Sequence, residues 1–474
     1  MATSDIGLIA HLMKRAGFGA DKEELERRSQ VGYEETVEEL VNPSRFNIPS
    51  FDPDTLYRHH PAMETPGGNP LNGQAEWMYR LINTPRPLEE KMALFWHHVF
   101  ATGNAKVDHC AVVMKQVDLF RTHGLGSYKD LLLRVSKDPA MIFWLDNNQN
   151  HKDAPNENWG RELLELFSMG QGNYTELDVK EVARSFTGWT IEPSLPRMPF
   201  QRYLWNFMYL AEDHDEGEKV FLGHRGNFNG EDIIDIICRQ PATARFIARH
   251  LYNFFVEDEV QVPSWLDIPP KDNVAINILS EALFNSGYNI RHTLTVLFNS
   301  EFFKNIKVWH AKVKSPAELV ASTMRLIDFH RSPRPGIGVI GMEPGYQGQA
   351  LLDPPSVEGW HTGKEWIDSG SLLRRINFVA DRFGDISNPG VRRIVDRISK
   401  IKDLSAEELV DNCVELVGPI RLEESTRREL IEHVQGKDSG VDILAKSSNT
   451  TADRNSTICE MLQLVASTRE YQFC

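Results

Sequence analysis

Helix-start signals recur along this chain and constrain its fold more than any other feature of the sequence. Residues 175–178, 315–318 and 405–408 each place a hydroxyl side chain at a candidate N-cap and a carboxyl side chain three residues later, the pattern of a capping box. The apolar residues that follow these signals recur at helical spacing, as Val179 and Val182 do. The chain is therefore predicted to be mainly α-helical, with a multi-helical core.

One short region is predicted to form strands. Residues 202–210 are rich in aromatic side chains that suit a strand, and a second apolar run occupies residues 219–222. The two runs are joined through an Asp-Glu-Gly turn sequence. One small β-hairpin is therefore predicted near residues 202–222.

A long loop is predicted over residues 331–370, which are rich in Gly and Pro. Its prolines and two tryptophans favour an ordered, packed loop. The GxGxxG sequence at 336–341 follows prolines rather than a strand, and Pro344 is expected to block the helix that a dinucleotide site requires. A dinucleotide-binding fold is therefore excluded.

The length and composition predict two parts of unequal size. The 474 residues would suffice for about three domains of average size. After about Phe383 the sequence becomes rich in charged helical segments. We predict a helical core domain over 1–385, which carries the hairpin, and a C-terminal helical subdomain over 386–474 packed on that core.

Charge and cysteine usage exclude several classes of protein. There are 52 Lys and Arg residues against 67 Asp and Glu residues, and the net charge of −15 repels phosphate backbones, so nucleic acid is not expected as a partner. No run of about 18 apolar residues is available for a membrane span. The start lacks the features of a secretory signal, and the five cysteines are scattered without a CxxC pair. A cytoplasmic protein with reduced thiols is predicted.

The segment 156–167 carries a strip of polar residues beside an apolar helix face. Asn158, Glu162 and Glu165 fall at positions i, i+4 and i+7 of this segment. Two carboxylates one helical turn apart raise each other's pKa, which suits acid/base chemistry or the binding of a hard cation such as Mg²⁺ or Ca²⁺. This strip is the strongest candidate site in the sequence.

A structural interpretation of the same segment is equally open. Arg161 lies four residues from both Glu157 and Glu165, a spacing typical of ion pairs on a solvated helix face. Gly160 lowers helix stability by about 1 kcal/mol relative to alanine, so it marks the close approach of another backbone or of a ligand.

Further candidates lie on other segments. His97 belongs to a predicted helix over 87–100 that is apolar on most sides, so its imidazole needs a partner, and a satisfied core histidine is the alternative. The turn at 213–219 brings His, Asp and Lys side chains together. Trp360 follows two prolines and is expected either to wall a pocket or to anchor its loop on the core.

Together these segments resemble a known family. The chain is similar to the bacterial DUF1800 family, a family of unknown function, in the runs AHLMKRAGFG, FWHHVFAT, NENWGRELLELFSMGQGNYTELDVKEVARSFTGW, HDEGEKVFLG and DPPSVEGW. The resemblance implies no settled activity, although family members are often exported and encoded beside a protein of the alkaline phosphatase and sulfatase type. Many members have histidine where this chain has Val99 and Phe167. The resemblance therefore argues against a metalloenzyme.

Two functions of different classes follow. The first is an acid/base or hydrolytic enzyme with Glu162 and Glu165 as proton-transfer groups, Arg161 as an anion clamp and His97 as imidazole partner. Its expected substrate contacts are Asn158, His214, Asp215, Lys219 and Trp360. The second is a non-catalytic helical scaffold or accessory protein that acts with a partner enzyme. The sequence requires no cofactor, and a divalent cation on the carboxylate strip is a third option.

Overall fold

A computed structural model describes residues 2–66, 69–192, 204–402, 404–436 and 451–474 of the chain. Helices dominate, and the described strands are confined to two antiparallel pairs. The mainly α-helical class predicted from the sequence is confirmed.

The α-helices follow one another in the order of the chain. In the N-terminal half they are α1 (Ala2–Arg15), α2 (Lys22–Val31), α3 (Tyr33–Val41), α4 (Asp54–His59), α5 (Pro61–Glu64), α6 (Pro70–Asn83), α7 (Pro87–Val99), α8 (Asn104–Val107), α9 (Cys110–His123), α10 (Tyr128–Ser136), α11 (Pro139–Trp144), α12 (Asn158–Glu162) and α13 (Glu176–Ser185). Beyond the strands they are α14 (Gly230–Ile237), α15 (Pro241–Phe255), α16 (Asn273–Asn285), α17 (Ile290–Asn299), α18 (Glu301–Lys304), α19 (Pro316–Ile327), α20 (Ile337–Tyr346), α21 (Ser369–Phe383), α22 (Pro389–Ile398), α23 (Ala406–Val417), α24 (Glu424–Val434) and α25 (Thr451–Ser467).

The three predicted capping boxes are confirmed. Thr175, Ser315 and Ser405 each accept a hydrogen bond from the backbone N–H three residues later, and the carboxylate of that residue accepts one from the cap backbone. These reciprocal bonds satisfy two N–H groups that have no partner within a helix. They fix the starts of α13, α19 and α23.

The strands pair differently from the prediction. Strand β1 (Trp189–Ile191) pairs with β2 (Phe207–Tyr209), and β3 (Lys219–Phe221) pairs with β4 (His224–Gly226). The predicted pairing of the 202–210 run with the 219–222 run is therefore wrong, and residues 202 and 203 lie outside the described residues.

The geometry of the turn after β3 explains this difference. Leu222 and Gly223 both have positive φ, at 45° and 79°, as the favoured two-residue hairpin turn requires. This local turn closes β3 onto β4 over two residues. Pairing β3 with β2 would instead have closed a longer loop at a greater entropic cost.

The predicted loop at 331–370 contains a helix, α20, and that part of the prediction is wrong. Pro344 lies inside the helix, near its C-terminal end. A proline in a helix interior costs about 3 kcal/mol. The burial of Ile337 and Ile340, together with the packing of α20 on α6, offsets this cost. Beyond α20, Trp360 is buried, and its predicted place in the wall of a pocket stays a prediction.

Gly341 allows α20 to approach α6 closely, which yields a matched pair of substitutions. A Cβ at Gly341 would lie 2.6 Å from the Cα of Ala75, whereas a Cβ at Gly338 of the same helix would meet no atom of the described residues within 4 Å. We expect Gly341→Ala to lower the free energy of unfolding by about 1–3 kcal/mol through overpacking. We expect Gly338→Ala to raise it by about 0.5–1 kcal/mol through helix propensity. Urea denaturation of both variants measures the difference, and equal effects would contradict the close packing.

One hydrophobic cluster continues across residue 385. It includes Phe383 of α21, Val391 of α22 and Val465 of α25. The helix α25 packs on α21 and α23, so the C-terminal helices lie against the core. The boundary between the two predicted parts stays a prediction, and residues 437–450 lie outside the described residues.

Two further features concern the chain as a whole. All five cysteines are buried and free. Among the described residues, no helix combines the length and the apolar character needed to cross a lipid bilayer.

Candidate active site

The predicted carboxylate strip lies where an α-helix changes into a π-helix. Helix α12 ends at Glu162, and a π-helix follows over Leu163–Ser168. The backbone N–H of Met169 donates to the carbonyl of Leu164 at 3.0 Å, five residues earlier, which is the hydrogen-bond pattern of a π turn. Such turns are rare and occur frequently at functional sites. The change of helix type places Glu162 at the junction and Glu165 inside the wide turn.

Gly160 serves helix packing. A Cβ at this position would lie 3.1 Å from the carbonyl oxygen of Val179 and 3.3 Å from the backbone nitrogen of Ala183. Gly160 therefore marks the close approach of another backbone, that of α13, which is one of the two alternatives that the sequence left open.

Arg161 is engaged by carboxylates outside the strip. Its guanidinium donates to both oxygens of Glu176, at 2.7 and 2.8 Å, and to Glu157 at 3.3 Å. The ion pair with Glu157 is thus present. Glu165 instead accepts hydrogen bonds from the Gln171 amide at 2.5 Å and from the Tyr174 hydroxyl at 3.1 Å.

Glu162 differs from these neighbours because it has no counter-ion. Within the described part of the chain its carboxyl forms neither a hydrogen bond nor an ion pair. Partial burial and the negative charges of Glu165 and Glu358 raise the pKa of Glu162 to about 7, although Arg161 opposes the rise. Glu162 therefore changes its protonation state near neutral pH.

A pocket of about 290 Å³ opens beside Glu165. Its walls combine the aromatic side chains of Phe246 and Trp265 with those of two arginines. Arg249 is buried, pairs with Glu259 at 2.7 Å and lies 4.5 Å from the centroid of the Trp265 indole. Its charge is therefore compensated within the protein.

The second arginine of this pocket, Arg245, has no such compensation among the described residues. Its guanidinium donates to the amide oxygens of Asn277 at 2.6 Å and of Asn273 at 2.5 Å. Neutral amides orient the side chain and leave its positive charge available to an anionic group in the pocket. Sequence reasoning missed Arg245, because its partners lie on another helix, α16.

The side chains of His97 and Trp360 are in contact. The His97 imidazole is fully buried between the indoles of Trp77 and Trp360, with both centroid distances 5.4 Å. Neither ring nitrogen has a hydrogen-bond partner among the residues that the structure describes. Burial and the neighbouring His98 lower the pKa of His97 to about 3, so the imidazole is neutral. No described contact joins it to Glu162 or Glu165.

The segment that carries Trp360 links this histidine to the carboxylates. Glu358 acts electrostatically on Glu162, and Trp360, two residues later, contacts His97. Between them Gly359 has a φ of 82°, and a Cβ there would lie 2.5 Å from the carbonyl oxygen of His98. Glu358 was missed as a site residue, because it lies about 200 residues from Glu162 in a segment with no periodic pattern.

Replacing His97 by phenylalanine is expected to make folding less sensitive to acid. The pKa of His97 is lower in the folded protein than its ordinary value, so this residue contributes stability above pH 6.5 that is lost as the pH falls. From pH 7 to pH 5 the loss amounts to about 2 kcal/mol. Urea denaturation at both pH values measures it, with His59→Phe, at an exposed position, as control. An unchanged pH dependence in His97→Phe would contradict the neutral buried imidazole.

Among the described residues, the predicted site residues of the 213–219 turn form their hydrogen bonds with residues between positions 184 and 227. The His214 Nδ1 lies 2.9 Å from the Thr187 carbonyl, and Asp215 accepts from Arg184 at 2.7 Å. The buried Lys219 donates to the backbone carbonyl of Asp215. Their role as substrate contacts stays a prediction.

The last predicted site residue is Asn158, and the last predicted option is a bound metal ion. The Asn158 amide donates to the carbonyl of Leu145 at 3.2 Å, a contact that fixes the start of α12. Among the described residues, no three or more His, Cys, Asp or Glu side chains are grouped so that they could hold a metal ion.

Comparison with known proteins gives one match. The model of a family described as "Protein of unknown function (DUF1800)" matches residues 11–473. No curated protein and no solved structure matches the chain.

Proposed function

Since the chain belongs to the DUF1800 family, whose activity is unknown, we propose its function from the site itself: an enzyme that performs acid/base or hydrolytic chemistry beside the π-helix. Glu162 is the group that gives and takes the proton. Glu165 is the second carboxylate, and the adjoining pocket holds the substrate.

One observation carries this proposal. Among the residues that the structure describes, the Glu162 carboxyl has no counter-ion, and burial together with the nearby carboxylates of Glu165 and Glu358 brings its pKa to about 7. A general acid or base works best when its pKa lies near the operating pH. A structural ion pair has the opposite effect on a carboxyl, because a positive partner lowers its pKa.

The roles of the neighbours follow from their contacts. Tyr174 and Gln171 donate to Glu165 and hold it as an oriented acceptor, so that its charge keeps the pKa of Glu162 high. Arg161 was predicted as the anion clamp, but Glu157 and Glu176 already engage its guanidinium. We therefore assign anion binding to Arg245, which lines the same pocket as Glu165.

His97 takes a positioning role in this proposal. A neutral imidazole without hydrogen bonds cannot serve as an imidazolium acid near neutral pH. Its contact with Trp360 instead supports the segment that presents Glu358 to Glu162.

The scaffold alternative makes a different prediction for the same carboxylates. It requires them to form structural ion pairs, whereas Glu162 has none within the described part of the chain. The unpaired carboxyl favours the enzyme. A hydrolytic reaction, a cytoplasmic location and a partner enzyme of the phosphatase or sulfatase type stay predictions.

A direct titration of Glu162 tests the proposal without a known substrate. In protein labelled with ¹³C at the glutamate carboxyls, one resonance is expected to titrate near pH 7 and to be missing in Glu162→Gln. The midpoint is expected to fall in Glu165→Gln, because one negative neighbour is removed. Glu157→Gln, at the start of the same short helix, serves as control. A Glu162 midpoint near 4.5 in the wild-type protein would remove the basis of the proposal.

A substrate screen follows from the pocket. Esters, amides and phosphoesters that carry an anionic group are tested from pH 5 to 9. The rate is expected to change with an apparent pKa near 7, and Arg245→Gln is expected to raise KM for the anionic compounds.

A further inference from the structure

A second cavity, of about 30 Å³, lies between the N-terminal helix α1 and the C-terminal residues of the chain. It shares no lining residue with the pocket beside Glu165. Its walls are largely apolar and include Phe18, Val417 and Ile420. Two lysines, Lys14 and Lys314, also line it.

Each lysine is anchored by one backbone carbonyl. The Lys14 ammonium donates to the carbonyl of Pro419 and the Lys314 ammonium to that of Tyr471, both at 2.7 Å. The Lys314 nitrogen also lies 4.0 Å from the centroid of the Tyr471 ring. An ammonium group carries three N–H donors, and these bonds use one on each lysine. The side chains are therefore fixed in place with donors to spare.

The charges around the cavity do not balance. Among the described residues, neither lysine forms an ion pair with a carboxylate side chain. Glu318, the carboxylate side chain in the cavity wall, is engaged by Lys91. The buried Arg375 adds a further positive charge, and within the described parts of the chain its Nη1 has no hydrogen-bond partner.

Burial and the surrounding positive charges lower the pKa values of both lysines. Burial and the charge of Lys14 lower the pKa of Lys314 to about 7, and burial lowers that of Lys14 to about 8. Negative charge at Cys474 opposes both shifts without cancelling them. A buried cation whose charge is only partly compensated is costly, and a bound anion removes that cost.

We propose that this cavity binds a small carboxylate anion, of the size of formate or acetate, whose oxygens accept hydrogen bonds from the ammonium groups of Lys14 and Lys314. A buried water needs at least about 10–15 Å³, so a cavity of about 30 Å³ holds about two waters or one anion of three or four heavy atoms. One ammonium group is available for each of the two carboxylate oxygens, and the apolar wall suits the methyl group of acetate.

The proposal implies that binding is linked to protonation. The anion binds the ammonium forms of both lysines, so its affinity is expected to fall as the pH rises from 7 to 9. At pH 8, binding is expected to take up protons from the buffer. Calorimetric titration with sodium acetate in two buffers of different ionisation enthalpy measures that uptake.

Thermal unfolding provides a second measurement. At pH 6.5 and constant ionic strength, acetate at about 100 times its Kd is expected to raise the unfolding midpoint by about 2 °C or more relative to chloride. Equal midpoints in acetate and chloride would overturn the proposal.

Matched variants show whether acetate raises the unfolding midpoint by binding in this cavity. Lys314→Met removes the buried charge at similar volume, so it is expected to raise the midpoint without acetate and to abolish the shift on adding acetate. Lys115→Met, at an exposed position on α9, is expected to keep the full acetate shift. A full shift in Lys314→Met would place the anion elsewhere and overturn the proposal. If Lys314→Met fails to fold, the proton uptake of the wild-type protein decides: uptake at pH 8 supports the proposal, and no uptake refutes it.

Discussion

Replacing Glu162 by glutamine is expected to lower kcat/KM by about 10²–10⁴-fold on any substrate that the screen identifies, because general acid/base catalysis contributes a factor of that size. Glutamine keeps the volume and polarity of the side chain and removes its ability to exchange a proton. Since Glu162 forms no ion pair or hydrogen bond within the described chain, little stability is expected to be lost. Steady-state kinetics and urea denaturation of the same preparation separate the two effects.

The control for this prediction lies at the other end of the same short helix, where Glu157 precedes its first residue. Glu157 pairs with Arg161 and is partly exposed, so Glu157→Gln is expected to leave kcat/KM within about twofold and stability within about 0.5 kcal/mol. Full activity in a folded Glu162→Gln variant would rule out Glu162 as the proton-transfer group. A proportional loss of activity and stability would instead indicate a structural role.

The largest loss of stability is expected at the buried ion pair of Lys91 and Glu318. Lys91 of α7 and Glu318 of α19 are both buried and in direct contact. We expect Glu318→Gln to lower the free energy of unfolding by about 3–5 kcal/mol, because it leaves the Lys91 charge buried without its partner. The glutamine oxygen can still accept from the Ser315 backbone, so the helix cap is kept.

Removing both charges separates the cost of an unpaired buried charge from the loss of the ion pair itself. The double variant Lys91→Met and Glu318→Gln is expected to be more stable than Glu318→Gln alone, because no unpaired charge remains and the glutamine keeps the bond to the Ser315 backbone. Urea denaturation of the single and double variants measures the coupling. A double variant that loses as much as the sum of the single variants would show that the two charges do not interact.

The same pair gives a pH dependence of defined sign. Burial alone would raise the pKa of Glu318, but Lys91 and Lys312 outweigh it and lower the pKa to about 2. The stability contributed by this carboxylate is therefore fully present above its ordinary pKa of 4.5 and is lost as the pH falls from there toward 2.

Local sequence signals predicted the elements that depend on local contacts. The capping boxes at Thr175, Ser315 and Ser405 involve residues three positions apart, and each begins a helix as predicted. His97 and Trp360 are in contact although about 260 residues separate them, and their assignment to one functional site stays a prediction.

Features set by distant packing could not be predicted in this way. Helix α20 forms despite Pro344 because Gly341 admits the backbone of α6, which has no local signature. Likewise, Glu358 raises the pKa of Glu162 only because the fold brings these two distant parts of the chain together. Helical periodicity carries no information on such contacts. The π-helix was missed because its apolar pattern fits an α-helix nearly as well.

The wide turn at Leu163–Ser168 makes the distance between the two carboxylates sensitive to chain length. Each residue of an α-helix advances the chain by about 100°. A relative with one residue fewer between Glu162 and Ser168 would wind this segment as a regular helix and turn everything after it by about that angle. Spacing along the sequence, in addition to residue identity, therefore becomes a criterion for which relatives share this chemistry.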